Sequence, residues 1–247
     1  MICPTGRGRR TWKITNEIAM RHLTCLLTFP VLLTTLSAAE PDDGPVRVAC
    51  VGDSITYGSG IDDRQQTYPA VLGRLLGDGY DVRNFGVSGA TLQKKGDKPY
   101  WTLDAFRDVA AFNPHIVIVK LGTNDSKPHN WHGVNPYKID LLALLNHFRS
   151  LPARPQIFVC TPAPVFKDVF QIREQVVHDE SVPAVKSIAK TSETPVIDLH
   201  ASLHEAGNLF PDGVHPNSEG AKQIAETVAG AVRKYAESRQ TVPASDQ

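Results

Sequence analysis

Five short apolar runs punctuate the chain: Val46–Val51 (VRVACV), Tyr80–Phe85 (YDVRNF), His115–Leu121 (HIVIVKL), Gln156–Cys160 (QIFVC) and Pro195–Leu199 (PVIDL). The third and fourth are nearly continuous in Val, Ile and Phe. Continuous rather than alternating apolar character marks strands buried on both faces of a parallel sheet. Between the first two runs, Tyr68–Leu76 places Val71, Leu72, Leu75 and Leu76 at helical spacing. Between the third and fourth, Tyr137–Leu151 reads as a helix with Ile139, Leu142, Leu145 and Phe148 on its buried side. The longest stripe, Ala221, Ile224, Ala225, Val228, Val232 and Tyr235, opens at Asn217 or Ser218, either of which can cap it. All these stripes read as core faces. Strands alternating with helices predict an open parallel sheet covered on both sides, in a single α/β domain. Ligands of such sheets bind beyond the carboxyl ends of the strands, so reactive residues should follow the runs directly.

Composition agrees with one ordinary globular domain: 247 residues, 41% hydrophobic and 21% charged. Glycine and proline, 18 of each, are too sparse for a collagen-like or low-complexity chain. With 26 basic against 26 acidic residues there is no positive excess to neutralise phosphates, so nucleic acid is not an expected partner. The balance is uneven along the chain. Residues 1–39 hold Arg7, Arg9, Arg10, Lys13 and Arg21 against the single acid Glu17, and the remainder is mildly acidic. Leu23–Leu36 is apolar and uncharged but shorter than the roughly 20 residues a spanning helix needs. Arg21 and His22 precede it, and Ser37-Ala38-Ala39 supplies small residues before Glu40. That layout predicts a secretory signal cleaved after Ala39, a secreted or periplasmic product, and no membrane attachment after cleavage. Met20 is a candidate true start. A buried N-terminal helix and an uncleaved anchor are the alternatives. The body is then 40–247, with its core over 46–237 and frayed ends at 40–45 and 241–247. Cys50 and Cys160 lie inside apolar runs and read as core thiols, and no Cys/His cluster suggests a metal.

Four segments carry candidate chemistry, each after its own run. Gly52-Asp53-Ser54 follows the first; the glycine permits a sharp turn and the serine is lifted to the sheet's edge at a helix start. Alone, it reads equally as an N-capping serine. Gly86-Val87-Ser88-Gly89-Ala90 follows the second, a tight loop whose N–H groups can face an anion. It fails the Gly-x-Ser-x-Gly nucleophile pattern because Ala90 replaces the last glycine, so Ser88 is a loop residue and not the expected nucleophile. Gly122-Thr123-Asn124-Asp125 follows the third; an asparagine there can offer its amide N–H to an oxyanion, or can bond its own turn. Asn124-Asp125-Ser126 also matches a glycosylation acceptor, discounted at a strand end that faces the cleft. Asp212-Gly213-Val214-His215-Pro216 follows the fifth; an acid three residues before a histidine on one loop can hold the imidazole by one ring nitrogen and leave the other for a serine.

These four blocks together resemble the SGNH hydrolases, also called the GDSL esterase/lipase family, from Val46 to about Tyr235. The resemblance implies a flavodoxin-like three-layer α/β/α sandwich with a five-stranded parallel sheet. It implies Ser54 as nucleophile, His215 as base and Asp212 as its orienting acid. It also implies an oxyanion hole from the Ser54 and Gly89 N–H groups and the Asn124 amide, with no metal or organic cofactor. The wording from Lys120 to Pro128 is similar to exported bacterial members described as sialate O-acetylesterase-like or carbohydrate acetylesterases. A short-chain, acetyl-type ester on a carbohydrate is thus the expected substrate. A lysophospholipase, thioesterase or arylesterase is the alternative of the same class, and a carbohydrate-binding module without turnover is the alternative of another. No long apolar insertion stands near the blocks as a lipase lid would. Pro99-Tyr100-Trp101 and His129-Asn130-Trp131-His132 are the segments expected to reach the cleft, where aromatic rings could stack on a sugar or simply pack. The sequence leaves the sugar and the oligomeric state open.

Overall fold

The computed structural model describes residues 44–240. The expected signal segment, its Ala39 cleavage site, the Met20 start and residues 241–247 lie outside the described residues. Strands β1 (Val46–Gly52), β2 (Tyr80–Gly86), β3 (Ile116–Lys120), β4 (Gln156–Cys160) and β5 (Val196–Ile197) form one sheet in the order β2-β1-β3-β4-β5, every pair parallel. Helices α1 (Ser54–Tyr57), α2 (Tyr68–Leu76), α3 (Asp104–Phe112), α4 (Val134–Arg149), α5 (Glu174–Val176) and α6 (Val182–Thr191) occupy the crossovers, and α7 (Leu199–Ser202) and α8 (Ser218–Gln240) follow β5. One π-helical turn, Val177–Ser181, joins α5 to α6.

Side-chain alternation on the central strands divides the core in two. Val48 and Cys50 of β1 and Ile116 and Ile118 of β3 pack with Val71 and Leu72 of α2 and Ile224, Val228 and Val232 of α8. Ala49, Val51, Val117 and Val119 face the opposite way, against Val109 of α3, Leu141, Leu144 and Leu145 of α4, and Val185 of α6. Strand β3 is buried throughout, which is why its sequence lacks alternation. Cys50 and Cys160 are free, buried thiols, and burial pushes the Cys50 thiol up to about 12.

Two expectations are corrected. In α4 the inward residues are Tyr137, Leu141, Leu144, Leu145 and Phe148, whereas Ile139 is 67% exposed and Leu142 also faces outward. A strict three-residue row drifts about 60° per step around a 3.6-residue helix, so its four residues, three steps apart end to end, cannot share one face. The fifth run is shorter than read: Asp198 caps α7 by accepting from the Ala201 N–H, which turns Leu199 into the first helical residue.

Register sets the site. Gly52 pairs with Gly86 on one side and Lys120 on the other, so three strand ends stop level with one another. The sheet order reverses direction of travel between β1 and β3, the switch point at which open parallel sheets hold their ligands.

Candidate active site

Ser54 stands two residues beyond Gly52. A side chain on Gly52 would meet Thr56 and the Lys120 carbonyl at 2.0 and 2.6 Å, so only glycine allows β1 to turn this tightly beside β3. The cap of α1 is Asp53 rather than Ser54: its carboxylate accepts from the Ile55 N–H at 3.0 Å. That leaves the Ser54 hydroxyl available to another partner. The second Asp53 interaction runs across the sheet, where the Lys120 ammonium donates to both carboxylate oxygens at 2.9 and 3.0 Å and to Thr123 Oγ1 at 3.0 Å. Asp53 and Lys120 are both fully buried. One cation thus ties the serine turn to the turn that carries Asn124.

His215 arrives from the loop between α7 and α8, 161 residues away in sequence, and its Nε2 lies 2.9 Å from Ser54 Oγ. Its Nδ1 lies 2.7 Å from Asp212 Oδ2. The other Asp212 oxygen accepts from the Val214 and His215 backbone N–H groups at 2.8 and 2.7 Å. Burial alone would raise the Asp212 carboxyl; the His215 backbone N–H, the imidazole and the Val214 N–H outweigh it and hold the group below its ordinary value. An ionised Asp212 assigns the ring proton to Nδ1, which leaves Nε2 as acceptor for the Ser54 O–H.

Gly89, at φ +83°, sits in the left-handed region that lets the loop after β2 turn its backbone toward the cleft. Among the described residues neither its N–H nor that of Ser54 is spent on an acceptor. Asn124 donates one amide hydrogen to the Ala90 carbonyl at 3.1 Å, and the amide has a second. The next residue fixes the same loop: Asp125 accepts from the Leu92 and Gln93 N–H groups at 2.8 and 2.7 Å. Complete burial pushes the Asp125 carboxyl up to about 7, against the pull of those two bonds and with Asp53 adding to the rise.

Ser54, Gly89, Asn124 and His215 line one open cleft of about 260 Å³, with Lys127, Phe170 and Ile172 at its edge. Ser88 lines it too, its hydroxyl 2.8 Å from that of Ser59. The five residues singled out from the blocks therefore meet in space. The aromatic segments do not join them. Trp101 donates to the Leu92 carbonyl and packs on Phe106; Trp131 donates to Glu180 and packs on Tyr137. His129 pairs with Asp97, and His132 with the Lys95 carbonyl, away from the cleft lining. Sequence reasoning missed Phe170, Lys120 and Asp125. Only Lys120 carried a signal, a lone charge closing an otherwise apolar buried strand.

The sequence model of the GDSL-like lipase/acylhydrolase family matches residues 50–223, which contains all five residues. An acetylxylan esterase of Xylanibacter ruminicola is 42% identical over 216 residues, 80% of this chain, although this chain spans only 45% of that protein. A rhamnogalacturonan acetylesterase of Bacillus subtilis is 25% identical over 77% of this chain and 90% of its own length. Among solved structures, the aryl esterase of M. smegmatis superposes with a TM-score of 0.66 at 18% identity, over 76% of this chain and 98% of its own. With the model matched across most of its described body, the chain belongs to the GDSL-like lipase/acylhydrolase family.

Proposed function

We propose that this chain is a serine esterase that removes short acyl groups, acetyl above all, from carbohydrate hydroxyls. The observation that carries the reading is the continuous relay of 2.9 Å from Ser54 Oγ to His215 Nε2 and 2.7 Å from His215 Nδ1 to Asp212. Both lie within the reach a nucleophile, its base and the base's orienting group require. Ser54 Oγ attacks the ester carbonyl as its proton passes to His215 Nε2. The carbonyl oxygen becomes an alkoxide, held by the Ser54 and Gly89 N–H groups and the Asn124 amide. His215 then returns the proton to the leaving alcohol, and a water repeats the cycle to free the acid and Ser54. Asp212 keeps the imidazole in the reactive tautomer and balances the imidazolium. This chemistry needs no cofactor.

A cleft of about 260 Å³, below the usual 300–1,000 Å³ of sites for drug-sized ligands, favours an acetyl group over a long chain. The two acetylesterase relatives favour a carbohydrate as the alcohol. Residues 1–39 are proposed as an export signal, and a mature N-terminus at Glu40 is its check.

The test is acetate release from acetylated xylan, pectin and sialic acid, alongside p-nitrophenyl acetate against the octanoate. Turnover of at least one acetylated saccharide with preference for acetate is expected. Preference for octanoate would shift the reading to a lysophospholipase or thioesterase, and turnover of aryl esters alone to an arylesterase. No turnover of any ester would leave a binding module.

A further inference from the structure

The two halves of an ester occupy different sides of this cleft. The carbonyl oxygen must reach Gly89, Ser54 and Asn124, whereas the alcohol oxygen must reach His215 Nε2 to be protonated on leaving. The alcohol half therefore lies over His215. On that side stands Phe170, its ring centroid 5.6 Å from the imidazole and tilted by 53°. From these positions we infer that the open face of Phe170 is the binding subsite for the alcohol half of the substrate, taking the C–H face of a pyranose ring. This rests on the esterase reading above.

Three further observations bear on it. Phe170 is 58% exposed, an unfavourable place for an aromatic ring that serves only packing. Tyr57, the other exposed aromatic among the described residues, is covered by the Arg64 guanidinium 4.6 Å from its centroid, whereas among the described residues no cation lies over Phe170. The backbone is also committed to this presentation. Phe170 and Gln171 are consecutive non-glycine residues at φ +54° and +63°, a conformation that a bulky side chain adopts only where its surroundings enforce it.

The surroundings do enforce it. Before the pair, the Phe166 N–H donates to the Gly213 carbonyl at 2.8 Å, on the loop that bears Asp212 and His215. Within it, the Ile172 N–H closes onto the Val169 carbonyl at 2.9 Å. After it, Arg173 donates its backbone N–H to Ser126 Oγ at 3.0 Å and its Nε to the Ser126 carbonyl at 2.6 Å, on the turn that bears Asn124. The segment is stretched between the base and the oxyanion donor, with Ile172 buried beneath it and the Phe170 ring left outside.

Ring physics names the ligand class. The aromatic face is the negative end of a quadrupole and attracts C–H bonds; a six-membered ring lays several of them across it at once, polarised ones in a pyranose, and a small acyclic alcohol cannot. Phenylalanine has no polar group to compete with the sugar hydroxyls, which can turn to Lys127 and to water.

The test compares wild type, Phe170→Ala and Phe170→Trp on acetylated xylo-oligosaccharides, cyclohexyl acetate, ethyl acetate and ethyl octanoate. For Phe170→Ala, KM should rise about tenfold on the two ring alcohols, with kcat within twofold and ethyl acetate unchanged. Phe170→Trp should restore the wild-type KM. Unchanged melting of Phe170→Ala by circular dichroism keeps folding out of the comparison. Equal loss on ethyl acetate would make Phe170 a support for the catalytic loops and overturn the inference. No loss on any ester, or loss that follows acyl length, would overturn it as well. If wild type hydrolyses no acetylated saccharide, the carbohydrate reading fails by itself, and the pyranose assignment with it. Cyclohexyl against ethyl acetate then still decides whether Phe170 holds the alcohol half.

Discussion

Replacing Lys120 by methionine removes a fully buried ammonium and keeps a side chain of similar bulk. In the native protein the ammonium donates to both Asp53 oxygens and to Thr123 Oγ1, at 2.9–3.0 Å, with no solvent at either charge. Without it Asp53 keeps only the Ile55 N–H, and a buried carboxylate is left without a countercharge. Removing one partner of such a pair costs about 3–5 kcal/mol. For a domain of this size that is a fall in Tm of about 6–20 °C. Asp53→Asn alone should cost a similar amount, because it strands the ammonium while the amide oxygen can still accept from Ile55. The double variant buries no unpaired charge, so its loss should fall short of the sum by about 1–3 kcal/mol. Urea unfolding followed by circular dichroism gives all three values. kcat on p-nitrophenyl acetate should fall in each single variant, since the pair fixes the turns before Ser54 and Asn124. A Lys120→Met protein that melts within 2 °C of wild type, or a double variant whose loss equals the sum, would refute the reasoning.

Other outcomes follow from the same geometry. Asn124→Ala should lower kcat by roughly 10²–10³, about 2.7–4 kcal/mol, with little change in KM. Asp212→Asn, which favours the wrong imidazole tautomer, should lower kcat by about 10⁴ while the fold survives, as steady-state kinetics would record. Asp125 binds its proton more tightly folded, at about 7, than at its ordinary 3.8. Its contribution is therefore complete below about pH 4 and is lost as pH rises to about 7. Unfolding free energy measured across that window should fall with pH in wild type and flatten in Asp125→Asn.

Much of this architecture is legible in the chain because burial writes itself into composition. Strands β3 and β4 read directly, since a strand covered on both faces has no polar positions to interrupt it. The four blocks could be set at one edge because parallel strand ends align, as the Gly52, Gly86 and Lys120 register does. What escaped had either a local cause that the apolar pattern hides or a partner elsewhere in the chain. Asp198 ended β5 early by capping α7, and the α4 face was lost to counting by threes. Trp101 and Trp131 invited a role in the cleft because loop tryptophans carry no mark of facing inward; their indole N–H groups found Leu92 and Glu180 instead. Phe170 gave no signal, as its exposure depends on a backbone held by Ser126 and Gly213 from two other loops.

The central claim is that Ser54 is the nucleophile. Its most direct test is reaction with a serine-directed fluorophosphonate, followed by mass spectrometry of the intact protein and its peptides. One adduct is expected, on the peptide containing Ser54, abolished in Ser54→Ala together with esterase activity and retained with most activity in Ser88→Ala. An adduct on Ser88, or full turnover of p-nitrophenyl acetate by Ser54→Ala, would contradict the account.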